Sequence, residues 1–591
     1  MICTWDDCQW GYTCAENLEL SQDEMKSENA IAEVISVSTG GISVAITSSS
    51  AMSSLAVGGL CSIHDEPSQS RIIAIVDSIR GRATDSDSTS DANHGYALAQ
   101  LTILGQLREG QIGTKSSFKR GSDAFPPLGA KCYELSGNEL NELLVSVTAT
   151  YRNEELFELG TYTLSKTARA CASGSRFFQR HAAVVGSTGS GKSWTVALLL
   201  ERASQLKGAN IILFDLHGEY GPLSDPETGF AKRLRLAGPG DLDNPADDVL
   251  FLPYWLLSRD EMFSVVADIR QESAYNQASR FARHIFDLKE EWRDKNGLNS
   301  ELRSITLDSP IPYELEALIA RLDHDDTEMV EGSRGEKKGP WNGALTKVLE
   351  RLTARTADKR NGFLFQAPTD SMSPEWLNGM VSQMMCADEN HPGIKIIDFS
   401  EVPSDLLAVA TSTIARLLYT VQFWMDPTKR SPICLICDEA HLYLPRADNA
   451  DSGQSRALET FERIAKEGRK YGVSLLVVSQ RPSDVSATIL SQCNNFLSLR
   501  LTNDRDQSAV RNLLPDTMKG ISDILPILDT GEALLIGDAV MLPTRIRLDK
   551  PIIAPTSATM DFWVEWQKQS ASPEVMAAAI SNLRRQSRQR N

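Results

Sequence analysis

The stretch AAVVGSTGSGKSWTVALLLERA, Ala182 to Ala203, limits the fold more than any other part of the chain. A short apolar run stops at glycines and a lysine, then resumes at helical spacing. This is the pattern of a buried strand turning through a phosphate nest into a helix. Within it GSTGSGKS, Gly186 to Ser193, satisfies GxxxxGK[ST] completely. The backbone N–H groups of Gly186, Ser187, Thr188, Gly189, Ser190 and Gly191 are expected to converge on the α and β phosphates of ATP, because glycine leaves no Cβ in the way. Lys192 is expected to reach the β and γ phosphates and Ser193 to ligate Mg²⁺.

NIILFDLHGEY follows as a second buried strand running into a polar turn. Strand, helix and strand of these lengths form a βαβ unit, which requires a parallel sheet. Further strand patterns stand in GIKIIDFS, SPICLICDEA, VSLLVVSQRP, NNFLSLRL and GEALLIGD. Between the two groups, the region from Asp241 to Asp370 is charged and helix-patterned with no strand signal of any strength. It is predicted to be a helical insertion splitting one α/β nucleotide-binding domain, with HDDTEMVEGSRGEKKGP as a mobile loop.

Residues from about Asn29 to Leu144 alternate apolar and polar side chains. VISVSTGGISVAI does so on both sides of Gly40-Gly41, a hairpin signal. RIIAIVDSI and YALAQLTILGQL are further strands, with the polar loop GRATDSDSTSDANHG between them. A small barrel or sandwich is expected. The predicted organisation is an N-terminal extension (1–27), a β module (28–150), an α/β core (151–240 and 371–550), a helical insertion (241–370) and a C-terminal extension (551–591). That extension ends in a basic tail with Arg584, Arg585, Arg588 and Arg590, read as solvated or as a nucleic-acid or partner contact.

A chain of 591 residues with 41% hydrophobic and 23% charged residues matches an ordinary globular protein of several modules. The acidic start, MICTWDDCQWGYTCAENLEL, lacks a secretory signal, and no apolar run is read as membrane-spanning, so a cytoplasmic protein without a membrane anchor is expected. The net charge of −18 excludes a surface that coats nucleic acid everywhere but is compatible with DNA held in a basic channel. Cys3, Cys8 and Cys14 have no nearby fourth ligand for a zinc site. Cys434 and Cys437 form a CxxC on an apolar strand, where cysteine acts as a small hydrophobe rather than a redox pair.

Three further features carry chemistry. In SPICLICDEAH a buried strand ends in Asp438-Glu439, placing one carboxylate for the Mg²⁺ shell and another to polarise a water for in-line attack on the γ phosphate. GVSLLVVSQRP ends in Ser479-Gln480, where a polar side chain beside the phosphate site can sense hydrolysis. RIAKEGRKYG contains Arg463, Lys466, Arg469 and Lys470. An arginine there either closes a helix end as a solvated cation or reaches the nucleotide of a neighbouring subunit. Asp215, at the end of its strand, is read equally as a group near Mg²⁺ or as the cap of a polar turn. His217 and His441 have no ligand cluster around them and are read as hydrogen-bonding groups.

HAAVVGSTGSGKSWTVALLL, ILFDLHGEYG, LICDEAHLYLP and IAKEGRKYGVSLLVVSQRPSDVSATILSQCNNFLSLRLTNDRD together resemble the HerA branch of the HerA/FtsK ATPases, densely over Arg180 to Ala237 and Gly393 to Asp549. The resemblance implies a RecA-like P-loop core behind a small N-terminal β-barrel, and a homo-hexameric ring with ATP at subunit interfaces and double-stranded DNA through the centre. It also implies Glu439 as catalytic base, Gln480 as sensor, Arg469 as a trans-acting arginine, and Arg180, before the P-loop strand, as a further nucleotide contact. A partner effector on the barrel face is implied as well, either a nuclease, for DNA-end processing or phage defence, or a sirtuin-like NAD-consuming protein in defence. The chain carries no PD-ExK or HNH constellation of its own, so cutting would fall to the partner. The implied activity is that of an ATP-driven DNA translocase or helicase; the alternative is an ATP-regulated scaffold that assembles the effector without moving DNA.

Overall fold

The computed structural model describes residues 30–587 apart from 39–40, 66–69, 82–96, 109–115, 166, 268–273, 334, 387–392, 515, 557–561 and 569–571. Residues 1–27 with their three cysteines, nearly all of GRATDSDSTSDANHG, and Arg588 and Arg590 lie outside the described residues. The chain divides into two compact units, Met1–Glu139 and Leu140–Asn591.

The first unit is built from β1 (Ala32–Ser38), β2 (Gly41–Ile46), β3 (Leu60–Asp65), β4 (Ser70–Gly81), β5 (Ala97–Arg108), β6 (Ser117–Arg120) and β7 (Lys131–Glu134). They run in the order β2-β1-β7-β3-β4-β5-β6, and an additional β2–β5 pairing closes six of them into a barrel, leaving β6 outside the ring. Alternation explains the closure. In β2 every second residue is buried, and Ile42, Val44 and Ile46 join Val34, Ile63, Ile72, Val76 and Leu101 in one interior cluster. A closed ring also leaves fewer unpaired strand edges than a sandwich.

The second unit is organised by a twelve-stranded sheet. Its strands are β8 (Leu156–Tyr162), β9 (Arg169–Ser173), β10 (Ala182–Val185), β11 (Ile211–Asp215), β12 (Ala231–Leu236), β13 (Val249–Leu250), β16 (Ile394–Asp398), β17 (Ile433–Cys437), β18 (Val473–Ser479), β19 (Asn495–Ser498), β20 (Glu532–Gly537) and β21 (Thr544–Leu548). The order is β13-β12-β16-β11-β17-β18-β10-β19-β20-β21-β8-β9. The run from β13 to β19 is parallel, and the remaining strands add antiparallel to its flank. This is an α/β, RecA-like P-loop core. The strands expected from apolar runs are β10, β11, β16, β17, β18, β19 and β20. All residues of β10, β11, β16 and β17 are buried, as parallel strands covered on both faces require.

The insertion differs from expectation in two places. β13 extends the sheet beyond Asp241, pairing Val249 and Leu250 with Arg235 and Leu236 of β12. Two residues are too short to register as a strand pattern. The segment expected to be a mobile loop contains an antiparallel hairpin, β14 (Met329–Gly332) with β15 (Gly335–Lys338). All of β15 is exposed, so no buried face marked it in the sequence. The other regular elements described in the region are helices, including Ala274–Lys295, Leu315–Thr327 and Thr346–Ala357. Asp325 clamps two of these helices by accepting from Arg280 (2.6 and 2.7 Å) and pairing with His284 (2.6 Å).

The helix Ser404–Trp424 is, by length and apolarity, the one described helix that could cross a bilayer, contrary to the expectation of no such run. It is a core helix here: 72% of its most apolar window is buried, and its Arg416 pairs with Glu261 at 2.6 Å. The division between the units falls at Glu139 rather than 150. Within the second unit Asn141, in the helix Gly137–Ala149, accepts a hydrogen bond from Ser165 at 2.6 Å.

Candidate active site

Every strand of the parallel run ends at the same sheet edge, and that edge carries the polar residues that follow those strands in the sequence. Register makes this exact to a residue: Val185 lies opposite Ser479, Phe214 opposite Cys437, and Asp215 opposite Asp398. The P-loop after β10, Asp438-Glu439 after β17, Ser479-Gln480 at the end of β18 and Asp215 at the end of β11 are therefore brought together.

The loop Gly186–Gly191 has the shape of an anion cradle. Gly189 and Gly191 adopt φ of +73° and +104°, which a Cβ would oppose. A Cβ on Gly186 would stand 2.5 Å from Ser190 Oγ and 2.8 Å from the Leu499 side chain. Ser190 Oγ is buried without a hydrogen-bond partner. Gly191 caps the P-loop helix Lys192–Ser204, whose first N–H groups face the cradle. Lys192 Nζ makes only a long 3.4 Å bond to Ser187 O, which a phosphate oxygen can replace. Burial lowers the Lys192 pKa, against the opposing pull of Glu439, Asp438 and Glu219.

Around that lysine stands a connected polar chain. Thr188 Oγ1 donates to Gln480 Oε1 at 2.6 Å, and Gln480 Nε2 donates to Glu439 Oε1. His441 Nδ1 lies 3.3 Å from Glu439 Oε2 and 3.4 Å from Ser479 Oγ. The P-loop, the sensor position and the candidate base are thus one hydrogen-bonded unit. Glu439 sits at φ 44°, a left-handed conformation that costs a non-glycine residue roughly 1–3 kcal/mol.

Asp438 is buried beside it, and burial, then Glu439 and Asp215, push its carboxyl well above the usual carboxylate range. Asp215 is pushed up to about 6, chiefly by burial, against the opposing effect of the N–H groups it accepts from the following turn. Those groups belong to His217, Gly218, Glu219 and Tyr220, at 2.8 to 3.3 Å. Of its two readings, Asp215 is the cap of a polar turn. His217 contributes its backbone N–H to that turn.

The turn delivers a residue not singled out in the sequence. Gly218, at φ +72°, reverses the chain so that Glu219 Oε2 accepts from Ser193 Oγ at 2.7 Å. The signal available was the four-residue step from Asp215 to Glu219 across a glycine. Ser193 and Asp438 fit a magnesium ion. Both are hard oxygen donors of the kind magnesium takes.

Arg180 and Arg469 are not brought to this edge. Arg180 precedes β10, whereas the P-loop follows it, and its guanidinium pairs with Asp538. Arg469 lies in the turn before β18 and close enough to His181 to depress its pKa further below the effect of burial. It lines a cavity of about 810 Å³ at the opposite end of the strands, together with Phe157, Phe178, Ile211 and Val473. The length of β10 separates Arg180 from the P-loop of its own chain. Cys434 and Cys437 are buried within β17, and burial pushes the Cys434 thiol up to about 12, as a small hydrophobe requires.

Residues 157–418 match the family described as helicase HerA, central domain. The DNA double-strand break repair helicase HerA of Pyrococcus furiosus is 26% identical over 427 residues, covering 67% of this chain and 70% of the relative. Over these residues the α/β core is similar to the HerA ATPases. The protein of the same name from Sulfolobus acidocaldarius is 27% identical over 413 residues, 68% of this chain and 71% of its own. Among solved structures, VirB4 of Thermoanaerobacter pseudethanolicus aligns over 72% of this chain and 99% of its own, at 17% identity and a TM-score of 0.43. The family match spans β8 to the helix Ser404–Trp424 and so includes the P-loop and Glu219. It ends before Asp438, Glu439, Arg469 and Gln480.

Proposed function

We propose that the chain is an ATP-dependent double-stranded DNA translocase acting as a homo-hexameric ring. The observation that carries this reading is the separation of Arg469 and Arg180 from the P-loop by the length of the parallel strands. One chain thus presents a nucleotide cradle on one sheet edge and candidate charge-stabilising arginines on the other. A head-to-tail contact between copies joins the two, and repeated around a closed rotation it makes a ring.

In this reading the P-loop N–H groups and Lys192 bind the phosphates, and Ser193 and Asp438 would hold Mg²⁺, which would neutralise phosphate charge when bound. Glu439 accepts a proton from the attacking water. Gln480, bonded to both Glu439 and Thr188, orients that water and registers loss of the γ phosphate. Arg469 of one copy stabilises transition-state charge in the next. The net charge of −18 is compatible with DNA contacts confined to a local basic channel rather than spread over the whole surface. An effector, a nuclease or a sirtuin-like protein in phage defence or DNA-end processing, docks on the β-barrel.

Lys192→Ala is expected to abolish nucleotide binding, read by polarisation of a fluorescent ATP analogue; retained affinity would remove Lys192 from the phosphate site. Linear double-stranded DNA is expected to raise the ATPase rate of protein whose hexameric mass is established in solution. A rate indifferent to DNA and changed only by the effector would replace the motor with an ATP-regulated scaffold.

A further inference from the structure

The C-terminal segment that leaves β21 is tied to the P-loop helix at both of that helix's ends. Near its C-terminal end, Arg202 Nη2 donates to Asp549 at 2.9 Å, and Glu201 Oε2 accepts the backbone N–H of Ile552 at 2.6 Å. Near its N-terminal end, Thr556 gives both its N–H (2.8 Å) and its Oγ1–H (2.9 Å) to the carbonyl of Glu219. Glu219 in turn accepts from Ser193 Oγ at 2.7 Å.

The spans agree. Eight helical steps from Ser193 to Glu201 cover about 12 Å, and four residues from Ile552 to Thr556 reach about 13 Å when nearly extended. The segment runs alongside the helix as a taut strap, with Thr556 placed at the metal end.

We propose that Glu219 and Thr556 are positioning residues for metal loading. Glu219 holds the Ser193 hydroxyl hydrogen so that an oxygen lone pair faces the metal position, and Thr556 fixes the backbone that aims Glu219. Asp215 anchors the same turn from the other side through the Glu219 N–H at 3.1 Å. The turn is therefore gripped at both its N–H and its C=O, and the C=O grip comes from the C-terminal strap. This assignment rests on the reading that Ser193 and Asp438 hold Mg²⁺.

The test is a Mg²⁺ titration of the full-length protein with a fluorescent non-hydrolysable ATP analogue, beside the same binding measured in EDTA. Partners that orient a metal ligand are commonly worth 10- to 100-fold in metal affinity, so Glu219→Ala is expected to raise the Mg²⁺ midpoint by about 10-fold or more. Thr556→Val removes one of two hydrogen bonds and is expected to raise it by about threefold, with Thr556→Ser restoring it. Affinity in EDTA stays at the wild-type level in all three.

Wild-type midpoints in Glu219→Ala and Thr556→Val overturn the proposal. An equal loss with and without Mg²⁺ also overturns it, since that marks a generally weakened site. A wild-type protein whose affinity ignores Mg²⁺ overturns the underlying metal assignment, and the strap's role with it.

Discussion

Glu439→Gln is expected to bind ATP as the wild type does and to turn it over about 10²–10⁴-fold more slowly, the range that a positioned general base contributes. Binding survives because the cradle N–H groups, Lys192 and Ser193 belong to β10 and the helix after it, while Glu439 belongs to a different strand end. Turnover fails because an amide cannot take the proton from water. The same substitution is expected to raise the melting temperature of the nucleotide-free protein. Burial, and after it repulsion from Glu439, raises the pKa of Asp438, so neutralising Glu439 lowers the cost of an ionised Asp438. Function and stability thus move in opposite directions, as they do where an active site is held in an unfavourable arrangement. Normal turnover with unchanged melting would remove Glu439 from the role of base.

Arg469→Ala is expected to lower turnover by about 10³–10⁵-fold, the worth of a trans-acting arginine in related phosphoryl transfer. Among the described residues Arg469 makes no ion pair, so its loss leaves no buried carboxylate without a partner, and folding should be unaffected. The decisive measurement is a mixture with Lys192→Ala subunits. If Arg469 serves the neighbour, a one-to-one mixed ring recovers about one quarter of its sites, those pairing an intact P-loop with an adjacent intact arginine across a head-to-tail contact. Neither variant alone recovers any. Failure of the mixture to recover activity would place Arg469 in a structural role at its own helix end.

Much of the site was legible because its parts follow strands whose apolar runs announce themselves. β10, β17 and β18 each read as a short buried strand, and polar residues after such strands fall at one edge of a parallel sheet. Lys192, Ser193, Asp438, Glu439 and Gln480 were found this way. β12 and β21 were not: in AKRLRL and TRIRL arginine alternates with leucine or isoleucine over only four residues, the shortest run that carries a strand signal. β13 is too short for any period, and β15 buries nothing. Glu219 escaped because its approach to Ser193 depends on the left-handed Gly218 and on four N–H groups gathered by Asp215, a turn geometry with no periodicity.

The sequence by itself determined the phosphate cradle, the parallel core and the alternating N-terminal strands, because each rests on local steric rules or on periodic burial. Only the tertiary structure decided that the barrel closes, that the sheet continues into the insertion, that Arg180 and Arg469 stand at the edge away from the P-loop, and that residue 556 touches the turn of residue 219. These depend on which strands pair and on which end of a strand a residue occupies, and long-range pairing is set by the free energy of burying the whole sheet rather than by the residues on either side of a position.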